Sequence, residues 1–129
     1  MKILMFILIF FCSLTFGIAE EQQPPQLVTY YLGLLYKGPV RTQSADESAK
    51  IQSAHLQHLE SLYKQGILLI AGPMGDDGDL RGIVVLKVKS LEDAQTLVNN
   101  DPAVKAGRLR VELHPWMSQS LDVLRYKGD

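Results

Sequence analysis

The chain has 129 residues, of which 47% are hydrophobic, with 13 lysines and arginines against 14 aspartates and glutamates. This length suits one small domain, and no basic stripe runs along it, which argues against nucleic acid as a partner. Its one cysteine, Cys12, lies in the N-terminal apolar segment. The domain that follows therefore has no disulfide and no thiolate to act as nucleophile or metal ligand.

Residues 1–19 have the pattern of a signal peptide. Lys2 supplies a positive charge, residues 3–11 are uninterrupted apolar residues, and the small residues of Gly17-Ile18-Ala19 provide a cleavage signal. About 20 apolar residues are needed to span a membrane, and this run is shorter. We therefore predict cleavage after Ala19, a secreted or periplasmic protein with no membrane contact after cleavage, and a flexible polar lead-in over residues 20–26.

The mature chain begins with a strand followed by a long helix. Residues 27–36 are rich in β-branched and aromatic side chains and predict the strand, in which Gly33 marks a close backbone approach or a bulge. The helix is predicted over residues 45–65, because Ser44 and Glu47 form a capping-box pattern at its start. A start about one turn later is the alternative.

Beyond Gly66, which suits a helix C-terminus, the strand and helix patterns continue. Asp77-Gly78 favours a hairpin turn, Ser90 is a suitable N-cap for a second helix, and Asn99-Asn100-Asp101-Pro102 ends that helix. The second strand is predicted over residues 67–71, the third over residues 83–88 and the fourth over residues 108–114. The whole domain is predicted over residues 27–116, followed by a C-terminal extension over residues 117–129.

The element order is βαββαβ, which predicts a ferredoxin-like α+β fold. In this arrangement a four-stranded antiparallel sheet carries both helices on one face. The other face has no cover within the chain, yet the first three strands are apolar on both faces, and large exposed apolar patches are rare on monomers. We therefore predict that two sheets pack together as a homodimer, a dimeric α+β barrel.

The connectivity also predicts a site. The first helix begins at the sheet edge where the second helix ends, so the early part of the first helix lies near the Asp101-Pro102 corner. A carboxylate at that corner could orient the imidazole of His55 and leave its second nitrogen free as a base. A histidine held in this way contributes roughly 10²–10⁴-fold to a proton transfer.

A set of short motifs in a fixed order supports the same pair of residues. The motifs are Ala54-His55-Leu56, Gly66, the run from Leu69 to Met74, Ser90-Leu91-Glu92, Asp101-Pro102, Ala106-Gly107 and Pro115. The chain resembles the YciI-like (YCII-related) domain family, which is similar in fold to the dimeric α/β-barrel enzymes. The resemblance implies a His55–Asp101 pair in a cleft at the dimer and a small organic ligand, and it is compatible with lyase or isomerase steps on aromatic ring compounds. We predict no cofactor.

Structural explanations stand beside the catalytic one. Asp101 before Pro102 is also a good helix N-cap with proline at the first helical position. If the first helix starts at Ser44, His55 lies about 15 Å along its axis, a distance that is expected to strain the contact with Asp101. His55 could also be a purely structural helix residue.

Alternative functions follow from other polar residues. The first is a non-catalytic small-ligand-binding or stress-related module on the same fold. The second is a metal site on His55 and His58, which share a helix face, although no strong metal motif supports it. Arg110 is a candidate for binding an anionic group, and His114 is expected to be solvated or at an interface.

Overall fold

The computed structural model describes residues 26–124 and 127–128. The predicted signal peptide and residues 20–25 of the predicted lead-in lie outside the described residues. Within the described part, none of the helices combines the length and the apolar character needed to cross a bilayer.

The described chain forms one four-stranded sheet with its helices. The strands are β1 (Val28–Lys37), β2 (Leu68–Pro73), β3 (Leu80–Leu86) and β4 (Leu109–Ser118), and the helices are α1 (Ala45–Lys64), α2 (Leu91–Asn99) and the one-turn α3 (Pro102–Lys105), followed by a 3₁₀ turn at Asp122–Leu124. Every neighbouring pair in the order β2-β3-β1-β4 is antiparallel. This is the ferredoxin-like connectivity, so the predicted fold class is confirmed.

Both ends of α1 are closed by local hydrogen bonds. The Ser44 hydroxyl accepts from the Glu47 backbone N–H at 3.2 Å, and the Glu47 carboxylate accepts from the Ser44 N–H at 2.8 Å. Hydrogen bonding from the Ser44 backbone N–H, and to a lesser degree from the Ser44 side chain, lowers the pKa of the Glu47 carboxyl below its usual value. At the other end Gly66 adopts φ 70°, which only glycine adopts readily, and completes a Schellman motif. The helix therefore starts at Ala45, and the alternative of a later start is wrong.

The helices cover one face of the sheet. Leu62 of α1 and Val98 of α2 pack with Tyr31 and Leu35 of β1, and Val84 of β3 belongs to the same buried cluster. Gly33 of β1 is opposite Val84 in the register with β3, and a Cβ at Gly33 would come within 2.7 Å of a Val84 methyl. The close approach to the backbone predicted at Gly33 is therefore made by the Val84 side chain of the neighbouring strand, which fills the space above the glycine.

The opposite face of the sheet is partly covered by the chain's own C-terminal segment, residues 119–124. The backbone N–H of Leu121 donates to the Tyr30 hydroxyl at 2.7 Å, and Lys87 forms an ion pair with Asp122. Tyr30 is consequently fully buried. The expectation that this face has no internal cover is wrong in part, because β4 continues to Ser118 along the start of β1 and directs the segment back over the sheet.

Candidate active site

Asp101 lies at a corner formed by α2 and the additional short helix α3. Its Oδ1 accepts a hydrogen bond of 2.8 Å from the Ala103 N–H, and Pro102 occupies the first turn of α3. Gly107, with φ +68°, closes the helix at its other end. Proline fits the first turn because it lacks an N–H that would otherwise need a partner. Neighbouring residues therefore determine the geometry of this corner, and the prediction that Asp101 is a helix N-cap is confirmed.

The second oxygen of the same carboxylate contacts His55. The imidazole Nδ1 and Asp101 Oδ2 are 2.6 Å apart, and the two residues are only 7% and 4% exposed. One oxygen therefore caps α3 while the other receives the imidazole N–H. Because each oxygen has its own partner, the orientation of the carboxylate is fixed. The same side chain can therefore cap α3 and contact His55 at once.

The contact forms although α1 begins at Ala45, so the expected strain is absent. His55 lies about three turns into α1. The chain does not run directly from α2 into β4 but makes the extra turn α3, which packs against α1. Asp101 thereby meets the middle of α1 rather than its first turn.

The second imidazole nitrogen of His55, Nε2, is not closed off from solvent. Nε2 has no hydrogen-bond partner among the described residues. In that part of the chain, no side-chain nitrogen or oxygen is buried from solvent without a partner, so Nε2 is accessible to solvent. His55 is among the residues that line a cavity of about 380 Å³ on the helix side of the sheet. A histidine ring that donates from Nδ1 to a carboxylate and keeps its lone pair on Nε2 has the arrangement that a general base needs.

The cavity combines apolar walls with a few polar groups. Its volume exceeds the ~150 Å³ of an apolar cavity that accommodates benzene. The walls include Leu35, Leu59 and Val84. The lining residues belong to one chain, and the cleft at a dimer that the family resemblance implied stays a prediction. Its polar lining residues are Arg41, Gln52, His55, Arg81 and Arg108.

The three arginines of the cavity were not predicted from the sequence. A signal existed for two of them, because Arg41 follows β1 and Arg108 precedes β4, at the sheet edge that the topology assigns to Asp101. Arg81 gave no such signal. Arg110, the arginine predicted as a candidate for binding an anionic group, lies on the other face of the sheet. It pairs with Asp79 at 3.1 Å and stacks 4.2 Å above the centre of the Tyr36 ring.

The remaining histidines have separate partners. His58 donates from Nε2 to the Leu97 carbonyl at 3.2 Å, and His114 contacts Glu112 at 3.1 Å on the exposed side of β4. No group of three histidines, cysteines or carboxylates that could hold a metal ion occurs in residues 26–124 or 127–128. The metal-site alternative on His55 and His58 therefore has no geometric support in that part of the chain.

Comparison with known proteins now identifies the family. The model of the YCII-related domain matches residues 29–117. The chain belongs to the YCII-related domain family. Protein YciI of Escherichia coli O6:H1 and protein YciI of Shigella flexneri are each 35% identical to this YCII-related chain over 75 residues, which cover 52% of the chain and 76% of each relative.

A solved structure is similar to this member of the family as well. It is 5-chloro-2-hydroxyhydroquinone dehydrochlorinase (TftG) from Burkholderia phenoliruptrix AC1100, in complex with 2,5-dihydroxybenzoquinone. The match has a TM-score of 0.50 and 25% sequence identity, and covers 69% of this chain and 93% of the dehydrochlorinase. The family and the fold of the chain are thereby established together.

Proposed function

We propose that the chain is an exported proton-transfer enzyme of the lyase or isomerase type, acting on a small ring compound in the cavity beside His55. The observation that carries the proposal is the 2.6 Å contact between His55 Nδ1 and Asp101 Oδ2, made by a residue that also lines the cavity and has no described partner on Nε2. The similarity to a dehydrochlorinase supports the reaction class. Export rests on the sequence of residues 1–19 alone.

In the proposed reaction, His55 Nε2 removes a proton from the bound ring compound. The electron pair of the broken bond forms a new double bond. In an elimination, the leaving group on the neighbouring atom departs with its own bonding pair. In an isomerisation, the same proton returns from Nε2 to another carbon. The imidazolium formed in between is stabilised by the Asp101 carboxylate, which stays ionised and holds the ring in place.

The proposal is tested by following carbon-bound protons of candidate substrates in D₂O by NMR. The panel contains chlorinated hydroquinones, including 5-chloro-2-hydroxyhydroquinone, and small lactones. We expect the wild-type chain to accelerate exchange or elimination for at least one compound. His55→Gln, which removes the base while keeping a polar side chain, should reduce that rate by roughly 10²–10⁴-fold.

The same experiment distinguishes the alternative function. A compound that binds saturably but is neither exchanged nor converted would favour a non-catalytic small-ligand-binding module. Exchange that persists unchanged in His55→Gln would remove His55 as the base. Glu60→Gln on α1 is a suitable control, because Glu60 is exposed and its ion partner is Lys64.

We also propose that the chain forms a homodimer through the sheet face opposite the helices. Leu32 and Leu34 of β1 and Ile70 of β2 remain partly exposed there although the C-terminal segment covers part of the same face. A second copy of this face would bury them. Sedimentation should therefore give about twice the monomer mass, and Leu32→Glu should give a monomer, because a buried unpaired charge is strongly unfavourable. Leu91→Glu, on the exposed side of α2, should leave the dimer intact. A wild-type monomer would contradict the proposal.

A further inference from the structure

The charge of the cavity is opposite to that of the chain. The chain has a formal net charge of −1. The described residues that line the cavity include Arg41, Arg81 and Arg108, but no aspartate or glutamate. Asp101 bonds to the other nitrogen of the His55 ring, Nδ1. The cavity beside Nε2 is therefore lined by cations with no anion among them.

Each of these guanidinium groups is held in place by neutral acceptors. Arg41 Nη1 donates to the Arg108 carbonyl at 3.0 Å, and Arg108 Nη1 donates to the Gln43 amide oxygen at 3.2 Å. Arg81 Nη1 donates to two backbone carbonyls of the loop between β2 and β3, at 2.9 and 3.2 Å. No carboxylate of the described residues lies within ion-pairing distance of the three. The arginines are thus oriented, but their charge is not neutralised.

The position of Arg81 results from an irregularity of the sheet. In the register of β1 with β3, Leu35 is opposite Gly82 and Tyr36 is opposite Leu80. Arg81 between them has no partner in β1 and is the extra residue of a β-bulge. Bulges often redirect a side chain next to a functional site, and here the redirected side chain lines the cavity.

We infer that the cavity selects a small ring compound carrying a carboxylate, with the arginines binding the anion and the apolar walls contacting the ring. A guanidinium binds a planar carboxylate through two parallel hydrogen bonds. The inference rests on the proposed function in using the same cavity, and it adds the charge of the substrate. It depends on binding only, so it can fail or succeed independently of turnover.

The test compares two probes of the same shape and different charge. 2,5-Dihydroxybenzoate and 2,5-dihydroxybenzamide are titrated into the purified chain, and binding is followed by calorimetry and by NMR shifts of the His55 ring. We expect the carboxylate to bind at least tenfold more tightly than the amide, since hydrogen bonds to charged groups are the stronger ones. Arg81→Gln and Arg108→Gln should each weaken carboxylate binding roughly 10–100-fold and leave amide binding nearly unchanged.

Matched variants show whether a loss of carboxylate affinity comes from the cavity arginines or from any loss of positive charge on the chain. Arg110→Gln removes the same charge from the opposite face of the sheet and should leave both affinities unchanged. Arg81→Lys and Arg108→Lys should retain part of the carboxylate affinity and serve if a glutamine variant unfolds. His55→Gln should still bind the carboxylate even though it cannot transfer a proton. The inference is overturned by equal affinity for the two probes, by an Arg110→Gln effect as large as that of Arg81→Gln, or by no saturable binding of the carboxylate up to about 10 mM.

Discussion

Replacing Asp101 with alanine is expected to lower the free energy of unfolding by about 2–4 kcal/mol. The loss of a helix N-cap costs about 1 kcal/mol, and leaving the buried His55 without its partner costs a further ~1–3 kcal/mol. Both contacts belong to the same carboxylate, one to each oxygen. Denaturant unfolding followed by circular dichroism measures the change.

Asp101→Asn should separate the two functions of the side chain. Asparagine caps helices about as well as aspartate, so its oxygen can still accept from the Ala103 N–H, and the stability loss should be only about 1 kcal/mol. Its amide nitrogen would then face His55 Nδ1 and donate to it. The neutral imidazole must therefore carry its proton on Nε2, which removes the base from the cavity. We expect the exchange rate to fall roughly 10²–10⁴-fold, with the inverted tautomer visible in the ¹⁵N shifts of the ring.

Ser90→Ala is the matched control for the capping contribution. The Ser90 hydroxyl accepts from the Asp93 N–H at 3.0 Å at the start of α2 and has no histidine partner. Its loss should cost about 1 kcal/mol and leave the exchange rate unchanged. If Asp101→Ala were no more destabilising than Ser90→Ala, the contact with His55 would add nothing to stability. An unchanged tautomer in Asp101→Asn would remove its positioning function.

Gly38→Ala is expected to destabilise the fold by about 3 kcal/mol, at the upper end of the usual cost of overpacking. A Cβ at this position would lie 2.1 Å from the Gly107 carbonyl oxygen, and a backbone atom cannot turn aside as a side chain can. The Gly38 N–H donates to the Arg108 carbonyl at 2.9 Å, and Val40 donates to Gly107 at the same distance. The substitution therefore separates the loop after β1 from the turn after α3.

The contact between the loop after β1 and the turn after α3 also shapes the cavity, since Arg41 donates to the Arg108 carbonyl. A Gly38→Ala protein that remains folded should consequently bind a carboxylate probe less tightly than wild type. Gly75→Ala is the control, because nothing lies within 4 Å of a Cβ there, and its stability should change by less than about 0.5 kcal/mol. Thermal unfolding of both variants checks the prediction, and equal stability of Gly38→Ala and wild type would contradict the close approach.

The candidate site could be predicted only in part from the sequence. That Asp101 lies near α1 follows from connectivity, because a βαββαβ chain brings the end of its second helix to the start of its first. That it contacts His55 in the middle of α1 does not follow from connectivity. The arginines do not follow in the same way. Arg110 alternates onto a strand face like any other residue, and nothing local to Arg81 indicates that a bulge redirects it. Side-chain direction at an irregular strand depends on the register with a neighbouring strand, which is a tertiary property.

The amino-acid sequence by itself determined the elements whose signals are local: the capping box of Ser44 and Glu47, the glycine end of α1 at Gly66 and the Asp101-Pro102 corner. These signals suffice because caps and turns are satisfied by neighbours within a few residues. Only the tertiary structure decided that α3 carries Asp101 to the middle of α1, that three arginines line one cavity, and that residues 119–124 fold back over the sheet. Each of these results from contacts between segments far apart in the chain, where packing and register, rather than local propensity, determine the outcome.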